Sequence, residues 1–452
     1  MKQRLTEGNI ASTLVKLTIP MVWGVFSIIA FNLVDTYFVG QLGKEPLAAM
    51  SFTFPVVMTL GSLSMGLGVG ASSVISRAIG EGDHQRVQKF TTNSLTLALT
   101  AVVIFVIFGL LTIDPLFTAL GASAEVLPLI RDYMQIWYIG MVFLVVPMVG
   151  NNAIRASGNT ITPSLIMMFS AALNIVLDPL LILGIGGFPR LELQGAAIAT
   201  VIARATTLIA ALFVLHFKER MLYLKIPSAQ DTLWCWKDIL YVGLPAAGSN
   251  MINPISIGVV TSLLAGFGVE AVAAFGVASR IESLAMIAMI ALSASMAPFV
   301  GQNWGAKKYA RVGKALQLSF LFCVIWGLTG AAILAVSAPT LVAFFNQNPD
   351  VVRIASQYLW IVPISYAGAG IILVSNSAFN ALGKPVPSVV MTVARMFVLY
   401  IPLAYFGGQL YGVNGIFAAA CISNLIVGIG AYIWNQRTCS AKAAKKAEAV
   451  GN

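Results

Sequence analysis

The chain has 452 residues, 58% of them hydrophobic and 10% charged, with a mean hydropathy of +0.87; an ordinary soluble domain carries about a quarter charged residues. Apolar stretches of about 20 residues, each able to cross a bilayer as a helix, recur from end to end, which excludes a string of soluble domains. The formal charge of +10 does not call for nucleic acid, because the basic residues sit in short loops between apolar runs, where they set topology and meet anionic headgroups.

Hydropathy read against helix breakers predicts twelve transmembrane helices, near residues 14–40, 46–76, 91–113, 128–150, 162–184, 194–216, 238–264, 271–298, 315–337, 353–379, 388–407 and 413–435. The apolar run after Lys16 continues to about Gly40 with no small-residue cleavage pattern to close it, so it reads as the first span and not as a signal peptide. With the N-terminus inside, about 20 of the 27 basic residues fall in cytoplasmic segments, among them Lys2, Arg4, Arg155, Lys225, Lys384, Lys442, Lys445 and Lys446. Lys44, Arg131, Arg190 and Arg353 fall outside. Both termini therefore read as cytoplasmic. Asp83, Arg86 and Lys89 read as a solvated loop face.

The second half repeats the first. A shift of 225 residues places Pro20 on Pro245, Gly80 on Gly305, Arg86-Val87 on Arg311-Val312, Tyr133 on Tyr358, and Ala156-Ser-Gly158 on Ala381-Leu-Gly383. Near the end the shift falls to about 220 and pairs Gly195 with Gly415. Each copy holds six spans, an even number, so the copies share one orientation. The fold class is an all-α membrane protein of two six-helix lobes, 1–225 and 226–452, related by a pseudo-two-fold axis along the membrane normal. Parallel repeats of this kind are a transporter architecture with alternating access.

Charged residues within spans are costly and functional by default. Here they are Asp35, Asp178, Arg204, Arg280, Glu282 and Arg395. Both aspartates lie in the first copy, and their counterparts in the second are Val260 and Leu403. Asp35 follows Pro20 by a distance of about 22 Å along a helix; a proline inside a helix removes one backbone hydrogen bond and tends to kink it, so Pro20 reads as a hinge of helix 1. Asn174 and Asp178 are spaced i, i+4 and share a helix face, while Pro179 frees the carbonyl of Ile175. A carboxylate in a low-dielectric cleft resists ionisation, and a second acid nearby adds to this, so such a pair can load and release protons near neutral pH. A membrane potential near 150 mV supplies about 3.5 kcal/mol per charge moved, enough for one proton to sustain a gradient of several hundredfold. Arg280 with Glu282 reads equally as a structural pair or water contact and as a coupling element.

Other motifs lose their force in context. Gly61, Gly66, Gly68 and Gly70 lie inside an apolar span, where small residues allow close helix packing. There is no GxxxxGK[ST] loop and no HExxH pattern, the histidines are His84 and His216 alone, and Cys235, Cys323, Cys421 and Cys439 lack CxxC spacing. The sequence points to no enzyme, no organic cofactor and no metal site.

Leu33-Val-Asp35-Thr-Tyr-Phe-Val-Gly40, Ala156-Ser-Gly-Asn-Thr-Ile-Thr-Pro-Ser164, Asn174 through Asp178-Pro179, and Phe275-Gly-Val-Ala-Ser-Arg280-Ile-Glu282 together resemble the multidrug and toxic compound extrusion (MATE) family. The similarity runs over essentially the whole chain. It implies cation-driven export of diverse, often cationic or aromatic drugs across a bacterial cytoplasmic membrane; the expected partners are these small molecules and membrane lipids, and the chain is expected to function as a monomer. Within the family the chain looks like the DinF-type branch. That resemblance makes Asp35 the main proton site, linked to Asn174, Asp178 and Thr200, with helix 1 bending near Pro20. It departs from the NorM-type pattern of acids in helices 7 and 10, since helix 7 reads Asn250-Met-Ile-Asn-Pro-Ile-Ser. H+ is the coupling ion of this reading, and Na+ is its alternative, because carboxylate, amide and hydroxyl oxygens also suit a hard cation. Tyr37, Asn151 and Asn152 are polar candidates for the substrate cavity.

Three competing readings differ in what they require. A flippase for a lipid-linked oligosaccharide wants more cationic side chains than Arg204, Arg280 and Arg395. A prenyltransferase-like enzyme wants clustered aspartates around Mg²⁺, and no DDxxD-like run occurs. A uniporter would keep downhill flux after Asp35→Asn.

Overall fold

A computed structural model describes residues 5–42, 44–223 and 228–439. The boundary expected at 225/226, together with Lys2, Arg4, Gly43, Lys225 and the C-terminal lysines, lies outside them. The described chain is helical: α1 (Ile10–Gly40), α2 (Lys44–Glu81), α3 (His84–Ala119), α4 (Leu127–Gly140), α5 (Val142–Ala156), α6 (Ile161–Leu183), α7 (Glu192–Phe213), α8 (Ala229–Ala265), α9 (Val269–Ala285), α10 (Ile287–Gly305), α11 (Tyr309–Phe345), α12 (Pro349–Ile361), α13 (Tyr366–Ala381), α14 (Pro385–Val393), α15 (Ile401–Tyr411) and α16 (Val413–Cys439).

Among the described residues, 10 helices are long and apolar enough to cross a membrane, or 11 if the bent pair α9 and α10 is one span. The span expected at 238–264 is present as the 37-residue α8, but Gly248, Ser249, Asn250, Asn253 and Ser256 make it too polar to qualify on composition. The span expected at 271–298 as one helix is bent by 50° at Met286, between Val269–Ala285 and Ile287–Gly305. Helix interruptions elsewhere have local causes. Pro363 sits in a 3₁₀ turn (Val362–Ser365) between α12 and α13, and a π-helical turn (Ala394–Tyr400) leads into Pro402 at the start of α15. Proline cannot continue the ladder of hydrogen bonds and forces these adjustments.

The chain forms two compact units. The first contains the described residues of 23–247, the second those of 5–22 and 248–439. The helix that begins each sequence copy therefore contributes to both units. In α1, Leu14 and Leu17 belong to the core of the second unit and Val39 to that of the first; in α8, Cys235 and Ile239 belong to the first and Val260 and Leu264 to the second. Polar contacts fix the starts of these helices. Lys89 donates to Asp231 at 3.0 Å, and Trp236 Nε1 donates to the carbonyl of Asn93 at 3.1 Å. In the second unit Lys308 donates to the carbonyl of Thr6 at 3.0 Å and Arg311 to that of Gly8 at 2.9 Å. The face expected to be solvated at Asp83, Arg86 and Lys89 is exposed at Asp83 and partly exposed at Arg86 and Lys89, and it is bonded as well: Asp83 caps α3 by accepting from the Arg86 amide, and Arg86 pairs with Glu81. An amphipathic helix start reaches charged neighbours that a loop would not.

Close helix approach follows the small residues. A Cβ at Gly66 or Gly70 would strike the backbone of α8, and one at Gly68 the amide of Asn152, whereas Gly61 has open space around it. The paired glycines of the two copies do equivalent work. A Cβ at Gly195 would meet the Leu181 carbonyl of α6, and one at Gly415 the Gly407 carbonyl of α15.

Candidate functional site

In the first unit α1, α4, α6 and α7 bring five polar side chains together. Asp35 on α1 is partly buried, and its Oδ1 is sealed from solvent without a hydrogen-bond partner. On α6, Asn174 and Asp178 are fully buried, as their shared face requires. Asn174 Nδ2 donates to Thr200 Oγ1 of α7 at 3.5 Å, a long bond. Its own Oδ1 and both carboxylate oxygens of Asp178 have no partner in hydrogen-bond geometry. Asp178 is nonetheless close enough to the Asn174 amide for a loose hydrogen-bonding interaction, and it is within electrostatic reach of Asp35. The fifth member is Tyr133 of α4, buried and within reach of both acids.

Tyr133 entered the sequence reading only as a marker of the repeat. Its signal was available there, since a tyrosine stands at the same place in both copies. Leaving a buried polar group unpaired costs about 1–3 kcal/mol, so this cluster is strained toward taking a proton or a cation. Its donor set suits a proton relay or a hard cation held by oxygen. Among the described residues no group of three or more His, Cys, Asp or Glu is placed to hold a metal ion.

The remaining sequence candidates are distributed differently. Pro20 lies inside α1, which runs through it as one continuous helix. Just beyond, a Cβ at Gly24 would sit 3.3 Å from Ser164 of α6, so α1 passes close to α6 there. Tyr37 is 64% exposed. Asn151 and Asn152 are buried in α5, and Asn152 is held within its own unit, donating to the Met148 carbonyl at 2.8 Å and accepting from Arg155 at 2.7 Å.

The second unit carries its own polar cluster, built differently. Tyr358 of α12 donates to Glu282 of α9, so the expected pair of Arg280 with Glu282 is not made, and Arg280 is exposed. One turn of helix is 3.6 residues, so a spacing of two turns the two side chains to different faces. Arg395 donates to Asn253 Oδ1 of α8 at 3.1 Å and to Asn424 Oδ1 of α16 at 3.4 Å. Asn424 in turn donates to Ser365 at 3.1 Å. Tyr366 and Tyr400 lie within electrostatic reach of Glu282.

The profile of the MatE family matches residues 20–180 and 245–406, so Pro20 opens one match and Pro245 the other. The chain belongs to the MATE family. It is a multi-pass membrane protein and a secondary-active efflux transporter of that family. At 39% identity over the full length of both chains it is similar to the FAD transporter of Shewanella oneidensis. It is 25% identical to the multidrug export protein MepA of Staphylococcus haemolyticus, over 93% of this chain and 92% of that one. Among solved structures it is similar to the MATE transporter VcmN of Vibrio cholerae, 31% identical, as a D35N mutant (TM-score 0.90, covering 95% of this chain and 97% of that one). The bent form of VcmN gives a TM-score of 0.89, covering 97% of each chain.

Proposed function

We propose that this MATE transporter is a proton-driven exporter of the DinF-type branch, coupled through Asp35, with Asp178, Asn174 and Thr200 as its relay. The reading includes twelve spans in two six-helix lobes, with the span too polar to qualify on composition, α8, as the seventh. It also includes a bacterial cytoplasmic membrane, both termini inside, and a functional monomer. The observation that carries it is the pair of acids with unpartnered, buried carboxylate oxygens in one unit. A site that lacks partners in one conformation gains most from a proton, and Pro20 gives α1 a place to respond by bending. Tyr37, Asn151 and Asn152 stay in this reading as cavity residues only in so far as α1 and α5 rearrange on bending.

The experiment is efflux of ethidium from reconstituted vesicles under an imposed proton gradient, at zero and at high sodium, for the parent and Asp35→Asn. Gradient-driven efflux that needs no sodium and is lost in the variant supports the proposal. Efflux that follows sodium assigns the same oxygens to Na+, and efflux indifferent to both gradients leaves a uniporter.

The substrates of this reading are diverse drugs, often cationic or aromatic. A second reading, export of a flavin nucleotide, is favoured by the full-length 39% similarity to an FAD transporter, against 25% to a multidrug exporter. An aromatic ring system is common to both substrate types. They differ in charge, and an anion needs a cation within the span.

A further inference from the structure

Resting on the flavin-nucleotide reading, we propose that Arg395 and its neighbours in the second unit form a subsite for a phosphate group of the transported molecule. An arginine inside a span is expensive and is retained where it faces a water-filled cavity or a partner. Arg395 has no acid of its own. Its bonds go to two neutral amides, Asn253 and Asn424. Its Nε is buried without a partner. Glu282, the carboxylate of the cluster, is engaged by Tyr358 and acts on Arg395 only at longer range. A second buried donor, the hydroxyl of Tyr366, also lacks a partner and lies within reach of the same glutamate.

Two unsatisfied donors in one cluster call for an acceptor with several oxygens. A guanidinium fork matches phosphate better than any other side chain, through paired N–H···O bonds. One edge of the cluster is exposed: Asn253 is exposed on α8, as is its contact with Arg395, while Arg395 Nε and the Tyr366 hydroxyl are buried. Polar side chains at such depth face a cavity and not lipid. Arg395 further sits in the π-helical turn Ala394–Tyr400, a departure from α-helix that recurs at functional sites.

The repeat sharpens the assignment. The counterparts of Arg395 and Glu282 in the first copy are Ser170 and Val57, and Ser170 spends its hydroxyl on the Ala203 carbonyl at 2.9 Å. Only Tyr133 and Tyr358 are common to the two clusters. The first cluster thus holds two acids and no cation, while the second holds one acid, Glu282, engaged by Tyr358, and a cation with an unfilled donor.

The test is binding of FAD and of riboflavin, the same ring system without phosphates, to the purified full-length protein in phosphatidylcholine nanodiscs, read by flavin fluorescence. The proposal expects the parent to prefer FAD, and Arg395→Gln to lose that preference by about 10- to 100-fold, the worth of a charge-assisted bidentate contact. Arg395→Lys, which keeps the charge but not the fork, should retain part of it. Should Arg395→Gln fail to fold, inorganic pyrophosphate must displace FAD from the parent without displacing riboflavin. Adding phosphatidylglycerol separates two sources of phosphate: an FAD preference that persists assigns the subsite to the nucleotide, and one that vanishes assigns it to a lipid headgroup. Equal FAD-to-riboflavin ratios in the parent and Arg395→Gln, or pyrophosphate without effect on the parent, overturn the subsite and leave the flavin reading standing. A parent that binds neither flavin while exporting ethidium overturns the flavin reading and the subsite together.

Discussion

In the proposed mechanism Pro20 is the hinge at which α1 bends. Proline has no N–H for the Lys16 carbonyl, and its ring crowds that turn. The helix stays continuous through it, so this unbroken form carries the penalty. Nearby, the Thr18 hydroxyl is buried without a partner. Residues 5–22 belong to the second unit and 23–40 to the first, so the weak turn falls at the end of the segment held by the second unit. Pro20→Ala restores the hydrogen bond and removes the clash, favouring the straight helix by about 3 kcal/mol. At 1.4 kcal/mol per tenfold, the bent population should fall by about two orders of magnitude. The assay is paired: thermal unfolding of the purified protein and gradient-driven efflux from vesicles. The variant should melt higher and export far more slowly, with expression unchanged. A Pro20→Ala protein that exports at the parent rate would refute the hinge, whatever its melting temperature.

Other outcomes follow from the same structure. Gly415→Val places methyl groups into the Gly407 carbonyl and should lower the melting temperature, in line with the about 1–3 kcal/mol typical of overpacking, whereas Gly61→Ala, in open space, should not. Tyr133→Phe removes one hydroxyl beside the two acids and should slow proton-driven efflux several-fold while leaving the melting temperature within a degree or two; an unchanged rate would drop Tyr133 from the relay. The hydrogen bond from Lys89 holds the Asp231 carboxyl below the usual carboxylate range. A depressed carboxylate stabilises the fold above its ordinary value of about 3.9 and loses that contribution as pH falls through the lowered one. The difference in melting temperature between the parent and Asp231→Asn should therefore be constant at neutral pH and shrink below pH about 4. A difference that grows on acidification would contradict the pairing.

Composition and spacing were enough to read an all-helical membrane chain, because every apolar stretch answers to the bilayer locally. The duplication was equally plain, and the family profile opens its two matches at the prolines the repeat had paired. Asn174 and Asp178 could be put on one face from their i, i+4 spacing alone. What remained hidden depends on neighbours far away in the chain. The bend at Met286 has no proline or glycine at the break to announce it. α8 is less apolar than the other spans because of Gly248, Ser249, Asn250, Asn253 and Ser256, of which Ser249 and Ser256 are buried and Asn253 is exposed. The neighbours of Asn152, Gly68 of α2 and Arg155, are likewise displayed by no local pattern. Arg395 drew notice as a charge in a span, but its meaning rests on which acceptors α8 and α16 bring to it.

The most direct test of the central claim counts protons. In vesicles carrying an internal pH indicator, with no imposed gradient, adding transported ethidium should make protons move in the opposite direction in the parent, and should move none in Asp35→Asn while the variant still binds the dye. Proton movement that survives in Asp35→Asn, or ethidium transport by the parent with no proton movement at all, would contradict the account.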